Sequence, residues 1–354
     1  MSRFMSSRFA ALETYVPGEQ PQDMQYVKLN TNESPFPPSP EVIAAVNAYE
    51  VGRLNLYPDP DCKRLRKKLA DLYAVKEENV FLSNGSDDIL NFAFMAFCDR
   101  ERPVAFPDIS YGFYPVYANL HNVPATVIPL REDFRLEVED YCGLCQNIVI
   151  ANPNAPTGRT ISVADIEKIV QTNPDHVVLI DEAYVDFGAE SCYPLIKKYE
   201  NLLVCMTFSK SRSMAGGRLG FALGSATLIE DLNKIKYSTN PYNINRLTLV
   251  AAEAAVDSDD YYKKNAKIIA ENRAYTVEEL GKLGFTTLPS KANFIFTSCP
   301  KLSGGDLYRE LKRRGVLVRY WNKPALQNHV RITIGSKEQM DVLLEKVREI
   351  LKEV

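Results

Sequence analysis

The sequence predicts an α/β protein, with a mostly parallel sheet covered by helices on both faces and a smaller α+β domain after it. Three observations carry that prediction. Short apolar runs recur from Val80 to Leu223, separated by stretches with helical spacing, the pattern of buried strands joined by helical crossovers. Polar, glycine-bearing turns follow those runs, at the edge where open α/β sheets bind ligands. Beyond Asn245 the order changes to a long helical stretch and then strands grouped around single helices.

The elements follow in order. Residues 12 to 40 hold six prolines and read as an extended arm, because proline removes donors and biases its predecessor toward extended dihedrals. Ser39-Pro40-Glu41 starts a helix, with serine as cap and proline at the first position. Asp61 to Tyr73 reads as a second helix, apolar at Leu65, Leu69 and Leu72. Val80-Phe81-Leu82 is a strand running into Ser83-Asn84-Gly85-Ser86-Asp87-Asp88, with a helix from Ile89 to Phe97 behind it. Val104-Ala105-Phe106 is the next strand, and Tyr111 opens the next helix. Thr126 to Leu130, Asn147 to Ile150, Val177 to Ile180 and Leu202 to Met206 are further strands, with a helix after Ser162. Leu219 to Leu223 runs antiparallel. The helical stretch Arg246 to Leu283 breaks near Ser258 and Asp259. Phe294 to Phe296, Val316 to Val318 and Val330 to Ile334 are strands around a helix from Gly304 to Arg314, and Lys337 to Leu351 closes the chain. The predicted units are an arm at 1–40 that packs on the small domain and a partner, a large domain at 41–245, and a linking helix with a small domain at 246–354.

The bulk numbers exclude several classes. With 42 basic against 45 acidic residues and a formal charge of -3, the chain lacks the basic excess of a nucleic-acid surface. Seven cysteines form no disulfide framework and fit a reducing compartment. Cys142 and Cys145 make one C-x-x-C, but no second pair stands near it, so no metal site is expected. Met1 to Ala11 lacks the apolar core of a secretory signal, and no run approaches the roughly 20 apolar residues of a membrane helix. A cytoplasmic protein is expected.

The chemistry concentrates at two strand ends. Thr207-Phe208-Ser209-Lys210 places a lysine among hydroxyls and glycines, with Arg218 eight positions later; Val177 to Ile180 ends at Asp181-Glu182-Ala183-Tyr184. A lysine can carry an aldehyde cofactor as an imine while an acid holds a ring nitrogen protonated, the arrangement pyridoxal phosphate needs. Asn84-Gly85-Ser86, between strand and helix, offers backbone donors to a phosphate, or simply caps the helix. Asp181 taken alone is as readily a cap or a metal ligand.

Several ordered blocks then carry a family resemblance: Asn30 to Pro35, Tyr57-Pro58-Asp59, Gly85 to Asp88, Tyr111-Gly112, Asn152 to Gly158, Asp181 to Tyr184, Phe208 to Arg218, and Arg331 to Gly335. Over almost its full length the chain resembles the fold-type I pyridoxal-phosphate aminotransferases, class II branch. Within them it is most similar to those that move an amino group between histidinol phosphate and 2-oxoglutarate, with glutamate as the other amino acid. The resemblance implies that Lys210 bonds the cofactor and moves the proton, Asp181 faces the ring nitrogen, and Tyr184 donates to the ring hydroxyl. Tyr111 would stack on the ring. Ser86, Ser209 and Arg218, with the backbone of Gly85 and Asp87, would hold the phosphate. Tyr57 would reach the phosphate of a neighbouring subunit, implying a homodimer with shared sites.

Arg331 resembles the arginine that holds the acidic end of the substrate, with Arg319 as companion and Tyr15 closing from the arm. Two guanidinium forks suit a phosphate dianion. Two positions depart from the family pattern. Ala155 stands where an asparagine usually donates to the cofactor, leaving Asn154 as the substitute. Gly217 stands where a leucine is common, predicting a looser lysine loop. Threonine-phosphate decarboxylation and aromatic amino-acid transamination remain open on the same scaffold. A silent binding protein would have to lose Lys210, which is present.

Overall fold

The structure, a computed structural model, describes residues 4–9 and 12–353. The stretch read for a leader, Met1 to Ala11, thus includes residues 1–3, 10 and 11, which lie outside the described residues. In the arm, strand β1 (Val27–Leu29) precedes the helices α1 (Pro40–Ala45), α2 (Ala48–Val51) and α3 (Lys63–Leu72). The Ser39 hydroxyl accepts from the amide of Val42 and caps α1, as expected.

Seven strands then form one sheet: β2 (Val80–Ser83), β3 (Val104–Pro107), β4 (Ala125–Ile128), β5 (Asn147–Ala151), β6 (Val178–Asp181), β7 (Leu202–Thr207) and β8 (Gly220–Gly224). Their order is β2-β8-β7-β6-β5-β3-β4. Pairs among β3 to β7 are parallel, and β8 is antiparallel to both of its neighbours. The connection from β7 to β8 carries Lys210 and holds no crossover helix, so β8 returns beside β7 in the opposite sense.

Every residue of the six strands other than β4 is buried. Strand alternation sends Ile148 and Ile150 to one face and Val149 and Ala151 to the other. On the first face lie α3, α6 (Val163–Thr172) and α8 (Arg246–Asp257); on the second lie α4 (Ser86–Phe97), α5 (Phe113–His121) and α7 (Ala226–Thr239). Both faces are covered, so the strands read as continuous apolar runs.

Helix α9 (Asp259–Lys282) follows the break at Ser258 and leads into β9 (Thr286–Thr287), β10 (Phe294–Ser298), α10 (Gly304–Arg313), β11 (Val316–Tyr320), β12 (His329–Thr333) and α11 (Lys337–Lys352). The second sheet is ordered β1-β11-β12-β10-β9. The arm therefore supplies an edge strand, with β1 parallel to β11 and Val27 opposite Val316.

Three helix starts differ from the sequence reading. Helix α4 begins at Ser86 rather than Ile89, because Asp87 and Asp88 sit favourably in its first turn beside the helix dipole. Helix α5 begins at Phe113, with Gly112 as its cap. Helix α3 begins at Lys63, where the Asp59 carboxylate accepts from the amides of Asp61 at 3.0 Å and Lys63 at 2.9 Å. No helix among the described residues is long and apolar enough to cross a membrane.

Candidate active site

The ends of β5, β6 and β7 and the start of α4 surround a cavity of about 350 Å³, within the usual range of small-molecule sites. Asp181, the last residue of β6, is 5% exposed. Its carboxylate accepts from the Tyr114 hydroxyl at 3.0 Å and from the Ala183 amide at 3.2 Å. Burial pushes its carboxyl up to about 6, and those two hydrogen bonds pull against the shift. Among the described residues no cation forms an ion pair with it. A buried carboxylate that faces the cavity and has no ion-pair partner of its own fits a protonated ring nitrogen.

Lys210 stands three residues past β7. Its Nζ donates to the Thr31 carbonyl at 3.4 Å and lies 5.9 Å from the centre of the Tyr184 ring. The Tyr184 hydroxyl accepts from Asn32 Nδ2 at 3.0 Å, which leaves its own hydrogen free to donate into the cavity.

An anion cradle forms at the start of α4. Gly85 has φ +88, and a Cβ there would lie 2.7 Å from Arg218 Nη2. Only glycine meets both demands. Arg218 donates to the Ser209 hydroxyl at 3.3 Å and to Asp87 Oδ2 at 3.3 Å. Ser86 and Gly216 complete the wall. Hydroxyls, a guanidinium and a helix N-terminus converge, as phosphate binding requires. Tyr111 donates to Asp87 Oδ1 at 2.7 Å, and burial keeps its phenol far above the ordinary range.

A second set of residues comes from the small sheet and the arm. Arg331 donates to the Asn30 carbonyl at 2.9 Å, while its buried Nε has no partner. The guanidinium lies 5.3 Å from the ring centres of both Phe294 and Trp321. Burial pushes it below its ordinary value, and the neighbouring Arg319 adds to that push. Arg319 is the direct cross-strand partner of Arg331. Like charges opposite one another destabilise a sheet, and an anion between them would relieve that repulsion. Arg319 also holds the arm, donating to the carbonyls of Pro17 at 2.9 Å and Val16 at 2.8 Å. Tyr15 stacks on Phe113 at 4.3 Å. Burial raises its phenol, and the two arginines oppose that rise.

Two expected residues stand apart. The Asn154 amide donates to the Ile109 carbonyl at 2.9 Å and to Thr157 Oγ1 at 3.1 Å, and its Oδ1 accepts from Ser110 at 2.7 Å. It holds the turn together, and the methyl of Ala155 lines the cavity instead. The Asn154 side chain, expected at the cofactor, thus bonds within its own turn. Tyr57 is 80% exposed and stacks on Tyr242 at 4.5 Å, away from the cavity wall of its own chain.

Sequence reasoning missed Tyr114, Asn32, Thr31 and Glu33. Tyr114 had a signal, since it follows Tyr111 by three residues where the sequence reading starts a helix. The other three lie in the arm, where spacing shows nothing about the partner strand. A larger cavity of about 450 Å³ lies between Tyr73, Arg212 and Asp259. Its Asp259 takes both Arg212 at 2.7 Å and Lys263 at 2.6 Å, so that acid is already paired with two cations. Chemistry rather than size selects the site. Among the described residues no group of metal-ligating side chains forms.

Fold and site together define a cofactor-dependent transferase, and the chain belongs to the aminotransferase class I and II family, whose model matches residues 24–347. It is 48% identical over 353 residues to a histidinol-phosphate aminotransferase of Brachyspira hyodysenteriae, covering 99% of this chain and 100% of the relative. It is 46% identical to one of Clostridium acetobutylicum, covering 99% and 100%. The solved structure of a histidinol-phosphate aminotransferase from Sinorhizobium meliloti, in complex with pyridoxal-5'-phosphate, has the same fold. Its TM-score is 0.86 at 24% identity, over 99% of this chain and 100% of that one.

Proposed function

We propose that this chain is a pyridoxal-phosphate-dependent aminotransferase that moves an amino group between histidinol phosphate and 2-oxoglutarate in histidine biosynthesis. The facing pair Arg319 and Arg331, with the unpartnered Nε of Arg331, carries the substrate reading. Two guanidinium groups match a phosphate dianion, and they also serve the distal carboxylate of glutamate or 2-oxoglutarate.

The cofactor, when bound, supplies an aldehyde carbon for the amino group and a ring that withdraws electrons from it. The chain holds and tunes that group. Gly85, Ser86, Ser209 and Arg218 hold the phosphate, and Asp181 keeps the ring nitrogen protonated. Tyr184 donates to the ring oxygen, and Tyr111 covers one face. The Lys210 amine would hold the cofactor at its aldehyde carbon, with loss of water, and would move the proton at the reacting carbon. Tyr15 and Arg319 close the arm over the anion.

The working unit in this reading is a cytoplasmic homodimer with Tyr57 reaching the neighbour's phosphate. Exposed Ile43, Tyr49, Leu54, Leu56 and Tyr57 form the apolar surface that would be covered. The functional units are an arm at 1–40, a cofactor domain at 41–245 and a substrate-closing part at 246–354.

A substrate panel tests the reading. Histidinol phosphate, histidinol, phenylalanine, tyrosine and threonine phosphate are each incubated with 2-oxoglutarate, and glutamate and carbon dioxide are followed. Glutamate formed fastest from histidinol phosphate, without carbon dioxide, is expected. Carbon dioxide from threonine phosphate without consumption of the oxo acid would transfer the assignment to a decarboxylase. Preference for phenylalanine or tyrosine would transfer it to an aromatic aminotransferase.

A further inference from the structure

We propose that Asn32 is a positioning residue that sets the donor strength of the Tyr184 hydroxyl and couples it to the anion-holding strand β12; this rests on the reading that Tyr184 faces the cofactor ring oxygen. Asn32 is 1% exposed and has φ +58. Asparagine tolerates that left-handed conformation better than most residues. Its amide hydrogen is donated to Thr333 Oγ1 at 2.9 Å, and the Thr333 hydroxyl donates back to Asn32 Oδ1 at 2.9 Å. Its carbonyl accepts from Asn293 Nδ2 at 3.0 Å.

These contacts fix the orientation of the side-chain amide. The Thr333 hydroxyl receives the Asn32 backbone hydrogen, and Asn32 Oδ1 is the acceptor for its own hydrogen. Asn32 Nδ2 must then face Tyr184, and the 3.0 Å bond to the phenol oxygen runs from amide to phenol. A phenol that accepts a hydrogen bond becomes a stronger donor through its own hydrogen. The Tyr184 hydrogen is thereby directed and strengthened toward the cavity.

The same contact reaches the substrate anchor. Arg331 and Thr333 are two residues apart on β12 and share a face. Arg331 holds the Asn30 carbonyl at 2.9 Å, while Thr333 holds Asn32. The arm is thus gripped at alternate residues by the strand that presents the anion-binding guanidinium. The bonds to Thr333 and Asn293 tie the arm to the small domain. The bond to Tyr184 ties it to a phenol that lines the cavity.

The test is the pH midpoint of the visible absorbance band of the holoenzyme, measured in wild type, Asn32→Ala, Tyr184→Phe and the double variant. A weakened Tyr184 donor makes the ring oxygen hold its proton more tightly. Asn32→Ala is expected to raise the midpoint by about 0.5–1 pH unit, the scale of one lost hydrogen bond. No further rise is expected when Tyr184 is already phenylalanine.

Asn32→Asp keeps the shape but turns the donor into an acceptor that draws the phenol hydrogen away. It should raise the midpoint more than alanine does, and it tests the proposal if the alanine variant does not fold. An equal shift with and without the Tyr184 hydroxyl overturns the proposal, as does an unchanged midpoint in a variant that only melts earlier. Absence of any cofactor band in the wild type would instead overturn the cofactor reading itself.

Discussion

At Asp181 burial tunes the chemistry of the candidate site directly. In the protein without cofactor its carboxyl is pushed up to about 6, from an ordinary value of 3.8. A raised acid keeps its proton longer in the folded state than in the unfolded one. Its contribution to stability is therefore present below about pH 4, falls as pH rises through 6, and stays lost above. Asp181→Asn removes that loss. The cofactor-free variant should be more stable than wild type by about 1–2 kcal/mol at pH 7.5, with the gap closing toward pH 4.5. Thermal melts across that range check it. The same variant should lose turnover by about 10²–10⁴ when loaded, as expected for removal of a preorganised electrostatic partner; an unchanged kcat would reduce Asp181 to a cap. Arg319 gives the matching prediction on the substrate side. Arg319→Ala should lower kcat/KM for histidinol phosphate by about 10- to 1000-fold, or roughly 1.4–4 kcal/mol. Histidinol should lose much less, and Arg319→Lys should not restore the loss, because an ammonium cannot hold two arm carbonyls and a phosphate as a fork does.

At the scale of elements, the proposed phosphate cradle depends on how α4 starts. Gly85 joins β2 to α4 with φ +88, and its missing Cβ leaves room for Arg218. Gly85→Ala should weaken cofactor binding to the apoprotein at least about tenfold, since backbone strain of about 1–3 kcal/mol adds to displacement of the guanidinium. Gly143→Ala is the control: φ is +65 there too, but a Cβ would meet nothing within 4 Å, so cofactor affinity should stay unchanged. Fluorescence titration of the two apoproteins with pyridoxal phosphate makes the comparison. The buried strands were legible because both faces of the sheet are covered, leaving runs such as Ile148 to Ile150 continuously apolar. Strands β1 and β9 were not legible. Val27–Leu29 is three residues long and Thr286–Thr287 only two, and their neighbours β11 and β10 define them.

For the whole molecule, the position of Tyr57 makes the proposed assembly testable. It lies outside its own chain's cavity, among exposed apolar residues of the segment from Ile43 to Leu56. A mixture of Tyr57→Phe and Lys210→Ala chains contains hybrids with one doubly damaged site and one intact site. After subunit exchange, activity should reappear up to about a quarter of the wild-type level, from random reassortment in a two-fold dimer. Exchange without recovery would place Tyr57 within its own site. The arm brings the chain's extremes together, since β1 pairs with β11 and Asn30 and Asn32 meet Arg331 and Thr333.

The sequence by itself determined the class of fold, the strand-end positions of Asp181 and Lys210 and the glycine turn at Gly85. Each depends on local periodicity or on a motif read along one stretch of chain. Only the tertiary structure decided that Arg331 faces Arg319, that Tyr114 holds Asp181, that Asn154 is consumed by its own turn, and that Asn32 meets Tyr184. Those contacts join residues far apart in sequence or set a side chain between competing partners. Local propensity contains no term for either, because the strand register and the packing of the arm fix them.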